Sequence, residues 1–185
     1  MKNFLRFFIG FSVAAVAFAA EPKPIEETFE RYWSAYVRKD FPRVTADILP
    51  SDLEDTKAAL LPVFLAAQTS KEKDALTVVT AFFGRTVGKA RESLSPQEVF
   101  AALHRVTIAA NPDFFEVLKE AKIAVVFVRT PDADNAEIHY QISIRGETQI
   151  EVDRLVKKDG RWWMRVKEDP RETAAQFKQM FGQGS

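Results

Sequence analysis

From Ile25 onward apolar side chains recur at helical spacing. Ile25, Phe29, Tyr32, Trp33, Tyr36 and Val37 share one face, which predicts an aromatic-faced first helix. Asp40 precedes a second short turn carrying Phe41, Val44 and Ile48. Ser51 with Glu54 three residues on has the form of a capping box, opening a helix with Leu53, Leu60, Leu61, Phe64 and Leu65 inward. Pro62 is expected to kink or split that helix. Leu76, Val79, Phe82 and Phe83 predict a further helix that stops at Gly84, and residues 85 to 94 read as loop. Ser95, Pro96 and Glu98 take the N-cap, N1 and N3 positions of the next helix, with Val99, Phe100, Leu103 and Val106 on one face. Asn111-Pro112 starts another, with Phe114, Phe115 and Leu118.

After Lys122 the period changes from 3.6 to 2. Residues 123–129, 137–144, 148–157 and 161–167 read as four strands, and Asp169-Pro170 with Glu172 caps a final helix bearing Phe177, Met180 and Phe181. The expected fold is α+β: N-terminal helices packed on a curved, four-stranded antiparallel meander sheet with a C-terminal helix. The chain carries no repeat and no low-complexity linker, so residues 20 to 185 are expected to form one domain.

Pairing rules suggest the register of the two later hairpins. A two-residue turn at Asp159-Gly160 sets Arg154 against Arg165 and Asp153 against Val166, a like-charge pair and a mismatch. A three-residue loop, Lys158-Asp159-Gly160, instead sets Asp153 against Arg165, Glu151 against Lys167 and Leu155 against Trp163 on one face. The same choice at Ile144-Arg145-Gly146 brings Tyr140 opposite Ile150 and Ile138 opposite Val152. One continuous apolar face then contains Ile138, Tyr140, Ile142, Ile150, Val152, Val156, Trp162, Met164 and Val166.

Arg154 is the single charge on that expected face. A guanidinium keeps its charge, so Arg154 has either a structural role, paired with Glu26, Glu27 or Glu30 of the first helix or with its stem snorkelling to the rim, or, when covered, a bound anion. The second alternative makes it the anchor of a ligand, with Tyr140 as a neighbouring donor and Trp162, Met164 and Trp33 lining the pocket. On the opposite face Leu155 and Trp163 form an apolar patch. It would receive a partner, a second copy of the chain, or the last helix through Phe177 and Phe181. Residues 123–129 are apolar on both faces, which predicts an outer cover there too.

Helices followed by an amphipathic meander that ends in residues 155 to 166 (Leu-Val-Lys-Lys-Asp-Gly-Arg-Trp-Trp-Met-Arg-Val) resemble the NTF2-like superfamily, a cone-shaped α+β fold, and above all its exported bacterial members. Phe29 and Trp33 of the first helix and the Lys39-Asp40-Phe41 break also match, so the resemblance covers residues 25–50 and 122–167. It implies an apolar pocket between sheet and first helix, used for catalysis in isomerase-like and dehydratase-like branches and for binding or assembly in others. Residues 51 to 121 are more helical than in small members of that superfamily. Catalysis needs an inward acid or base, and the register above turns His139, Glu151 and Asp153 outward. His104 has no second His or carboxylate at i+4 and reads as structural or solvent-facing.

Charge and composition narrow the partners. Lys2 and Arg6, an uncharged apolar stretch and Ala17-Phe18-Ala19 have the form of a signal peptide over residues 1–19, with export to the periplasm or the cell exterior. No Cys stands at the cleavage site, so no lipid anchor is expected, and the apolar stretch is shorter than the ~20 residues of a membrane span. Cleavage removes two bases and no acid, leaving 24 basic against 26 acidic residues, which gives no electrostatic reason to expect nucleic acid. The chain has no Cys, which excludes disulfides and thiol catalysis. No Gly-rich phosphate loop, G-x-S-x-G elbow or H-E-x-x-H stretch occurs, and no cofactor or metal is expected. Asp132-Ala133-Asp134-Asn135 lacks the glycine and glutamate of a calcium loop and reads as a turn. These features favour a non-enzymatic exported domain that binds a small apolar or amphipathic ligand or a partner segment between helices and sheet. The alternatives are an envelope assembly protein using its outer sheet face and, third, an enzyme.

Overall fold

The computed structural model describes residues 22 to 182. The segment expected to be a signal peptide lies outside them. Helix α1 runs Pro22–Val37, α2 Phe41–Thr45, α3 Pro50–Ala67, α4 Lys73–Phe83, α5 Pro96–Ala110 and α6 Phe114–Lys119. Strands β1 (Lys122–Arg129), β2 (Asn135–Ile144), β3 (Glu147–Lys158) and β4 (Arg161–Met164) follow, then α7 (Pro170–Met180). The strands form one antiparallel sheet in the order β1-β2-β3-β4, the expected meander.

Local chemistry explains most of the boundaries. The Ser95 hydroxyl accepts from Glu98 N, and the Glu98 carboxylate accepts from Ser95 N at 2.7 Å, a complete capping box on α5. Asp40 and Asp169 accept from the first-turn amides of α2 and α7. The box expected at Ser51 does not form. Pro50 already supplies the helical φ at the start of α3, so the N-cap is Leu49, and Ser51 lies inside the first turn. Pro62 sits within an unbroken α3. Asp132 Oδ1 accepts from the amides of Asp134 and Asn135, making the β1–β2 link the expected turn.

Both later hairpins differ from the expected register. They close through two-residue turns, with φ of 51° and 89° at Arg145-Gly146 and of 54° and 77° at Asp159-Gly160. Positive φ at both central residues is the type I′ geometry, whose twist matches that of the strands it joins. Tyr140 therefore pairs with Glu151, Ile138 with Asp153, Ile142 with Gln149 and Leu155 with Met164. The inner face carries Ala136, Ile138 and Tyr140 of β2, Leu155 of β3, and Trp162 and Met164 of β4, all buried. Ile150, Val152 and Val156 turn outward.

The anticipated clash between Arg154 and Arg165 is relieved sideways. Arg165 Nε donates to Asp52 Oδ2 at 2.7 Å, and Val166 N donates to the same oxygen at 3.0 Å. Arg154 extends into solvent, where two unit charges about 4 Å apart repel by only ~1 kcal/mol. Leu49 N donates to Met164 O and Met164 N to Asp47 O, so residues 47–49 cover the free edge of β4.

Two apolar clusters result. One joins Ile25 and Phe29 of α1 to the inner sheet face and to Phe100 and Phe115. The other packs α3, α4, α5 and α7 around Phe64, whose ring stacks on Phe82 with centroids 3.8 Å apart. Helix α5 contributes Phe100 to the first and Val99, Ala102 and Val106 to the second, and so joins the layers. Phe177 and Phe181 pack on Phe64 at 4.8 and 5.4 Å rather than on the sheet. The outer sheet face lacks the cover expected from α7. Among the described residues no helix is long and apolar enough to cross a membrane.

Candidate functional site

The hairpin register decides what the inner face presents. Successive strand residues alternate sides, so moving β3 by one position turns Asp153 and Glu151 inward and Arg154 outward. Arg154 is exposed on the outer face and cannot meet Glu26, Glu27, Glu30 or a ligand beneath α1. Leu155 is buried inside opposite Met164, while Trp163 lies outside, so the two form no common patch. Trp163 instead takes the Arg161 guanidinium on its ring at 4.0 Å. His139 faces outward as expected, stacked on Phe127 at 4.0 Å. Tyr140, Trp162 and Met164 are buried on the inner face, and Trp33 is half-buried against Tyr140.

Tyr140 and Trp33 gather around Asp153. Helix α1 sends Phe29, Tyr32, Trp33 and Tyr36 toward the sheet at spacings of three and four residues, which puts all four on one side. Phe29 meets Tyr140 at a centroid distance of 4.6 Å, Trp33 meets Tyr140 at 5.7 Å and Tyr36 at 5.5 Å, and Tyr32 stacks on Tyr36. These rings fill the space between α1 and the sheet, and half-buried Tyr32, Trp33 and Tyr36 form its rim.

Asp153 is a half-buried carboxylate beside this aromatic group. Burial holds its carboxyl above the usual carboxylate range, and Glu151 adds to the rise; the Tyr140 hydroxyl, Lys167 and the Trp33 indole favour the ion and only partly offset it. The Trp33 N–H lies toward Asp153, but Nε1 closes no regular hydrogen bond and stays buried without a partner among the described residues. An unmet buried donor of this kind costs about 1–3 kcal/mol. Burial likewise raises the phenols of Tyr32 and Tyr140, with Asp153 adding to both, so they are neutral donors at physiological pH. Tyr36 is pushed up to about 12, by burial first and then by Glu168. Lys167 pairs with Glu151 at the edge of the site. Among the described residues the charges acting on these groups are Glu151, Asp153 and Glu168 against Lys167, a net negative rim.

His104 lies apart from this group as a core aromatic. It stacks on Phe41 at 5.1 Å and meets Phe100 edge-on at 4.6 Å, with both ring nitrogens buried and without a hydrogen-bond partner among the described residues. Burial brings its pKa down to about 4, so it is neutral at pH 7.

Asp153 is the residue that sequence reasoning missed. The signal is the Asp159-Gly160 pair, suited to a two-residue turn, against which stand the like-charge pair Arg154–Arg165 and the mismatch of Asp153 with Val166. No family model matches the chain, and no curated protein or solved structure is significantly similar to it.

Proposed function

We propose that the domain binds a small amphipathic ligand between α1 and the inner sheet face, with a cationic or donor group of the ligand directed at Asp153. The supporting observation is a half-buried carboxyl, with its pKa raised by burial, beside the rings of Tyr140 and Trp33. Aromatic faces attract an ammonium group, and a carboxylate in the same shell adds full charge to that attraction. The net negative rim draws cations and disfavours the anionic ligand that Arg154 would have anchored. Entry requires Tyr32 and Tyr36 at the rim to swing aside, and the unmet Trp33 N–H offers a second polar contact once they do. The layout of helices and meander supports a relation to the NTF2-like superfamily, and the form of residues 1 to 19 supports an encounter with the ligand outside the cytoplasm.

An inward carboxyl also removes the argument against catalysis. A carboxyl whose pKa burial raises is a better proton acceptor than an ordinary aspartate, and proton transfer to or from a bound ligand is a second reading carried by the same residue.

Phenethylamine is a suitable probe, being an aromatic body with an ammonium end. Calorimetry should detect saturable binding that is lost in Asp153→Asn, while the variant melts a few °C higher at pH 7, the response of a chain this size to about 1 kcal/mol. Equal binding by the variant would overturn the proposal. A chemical role in addition to binding requires turnover of a ligand that Asp153→Asn still binds.

A further inference from the structure

A cleft of about 570 Å³ opens on the other side of α1, lined by Glu30, Arg31, Ser34, Arg38, Arg43, Asp47 and Arg161, with two alanines. Four arginines face two acids there in a chain whose acidic and basic residues are equal in number. The basic excess is therefore local.

Two of the guanidinium groups are fixed in place. Asp47, with a side chain only 8% exposed, accepts through Oδ1 from Arg31 Nη2 at 3.0 Å and from Arg161 Nη2 at 2.9 Å. Arg31 Nη2 also donates to Thr28 Oγ1, and Arg161 Nη2 to Ala46 O. The Arg161 plane rests on the Trp163 ring at 4.0 Å. Every one of these contacts except the stacking uses Nη2, which leaves Nε and Nη1 of both residues without a partner among the described residues. Two cations share one buried carboxylate, and the pair keeps a net positive charge with unspent donors.

Asp47 lies between α2 and α3, so the clasp that ties α1 to β4 uses both arginines through Nη2 and leaves their other donors free of that role. Arg38 and Arg43 at the rim exceed the structural need. Arg38 is exposed and has no ion pair among the described residues, while Arg43 reaches only the half-buried Asp40 at 3.3 Å. Guanidinium forks suit the two oxygens of a carboxylate or phosphate, and the volume suits a small molecule.

We infer that this cleft is a binding site for the carboxylate or phosphate groups of a small anionic molecule, held by Arg31 and Arg161 and enclosed by Arg38 and Arg43. Glu30 at the same cleft selects against a ligand that presents apolar surface or further anions on that side. The site shares no residue with the aromatic shell around Asp153, so either can fail without the other.

Citrate and inorganic phosphate serve as probes, with chloride at matched ionic strength as the control for screening and for general salt stabilisation. The arginine Nε–H NMR signals of Arg31 and Arg161 should shift saturably with citrate or phosphate and not with chloride. A response to citrate alone assigns the carboxylate form of the ligand, and a response to phosphate alone the phosphate form. The double variant Arg38→Gln with Arg43→Gln should keep the wild-type melting temperature without ligand, because both side chains are exposed, and bind the responding anion at least about tenfold more weakly. No saturable shift with either anion, or undiminished binding by the double variant, would overturn the inference.

Discussion

Neutral His104 and desolvated Asp153 make the domain respond to acid in opposite senses. The unfolded chain takes up the His104 proton near the ordinary imidazole value of 6.5, whereas the folded state resists it down to about 4. The unfolded state therefore binds more protons across that window, and stability is lost as pH falls through it, by on the order of 3 kcal/mol for this residue. Asp153 works the other way: its folded pKa is raised, so the folded state holds the proton longer and its contribution declines as pH rises above the ordinary aspartate value. Denaturant unfolding followed from pH 7 to pH 4.5 should show the loss in the wild type. His104→Phe, which keeps the stack on Phe41, should remove most of it; an unchanged pH slope in that variant would assign the acid sensitivity elsewhere.

At the level of elements, the expected helices all form, although the box at Ser51 does not close and α6 begins at Phe114 rather than at Asn111-Pro112. The capping box of α5 and the caps at Asp40 and Asp169 need only a few consecutive residues, and no distant contact competes with them. Hairpin register is different, because turn chemistry and burial of an apolar face were weighed against each other in the sequence. The type I′ turns prevailed even though they bring Asp153 and Glu151 inside. Tyr140, Trp33 and Lys167 accommodate the two acids, and none of the three lies near them in the chain. The site was invisible for that reason: its central residue is defined by a one-position choice in strand pairing. The expectation that Arg154 faced inward failed for the same reason, and the Leu155–Trp163 patch with it. Gly160 provides a check on the turn. Its φ of +77° strains any other residue, although an added Cβ meets no atom within 4 Å. Gly160→Ala should therefore cost about 1–2 kcal/mol through the backbone alone, measured by urea unfolding, and a cost near zero would argue against the two-residue turn.

On the scale of the whole molecule, α7 completes the helical cluster and leaves the outer sheet face open. Val126, Phe127 and Ile150 are 52%, 51% and 64% exposed there. The extra residue in β1 between Val125 and Phe127 puts Val126 among them. Strand β1 is thus apolar on both sides, as its sequence indicates, without the outer cover that pattern suggests. If this face joins two copies of the chain, Phe127→Glu with Ile150→Glu should lower the mass measured by light scattering from dimer to monomer while the fold persists. A wild-type monomer at high concentration would exclude the homodimer. Mass spectrometry of the protein recovered after expression addresses the expected export, which predicts a mature chain beginning at Ala20.

Binding of a cationic ligand as proposed rests on two properties of Asp153: an inward, desolvated carboxyl, and an ion that the ligand stabilises. Carbon-detected NMR titration of the Asp153 side-chain carboxyl, with and without phenethylamine, tests both parts together. The predicted result is a midpoint above that of an ordinary aspartate in the free protein, moved downward by the amine because a neighbouring ammonium favours the ion. A midpoint at or below the ordinary value that the amine leaves in place would contradict it.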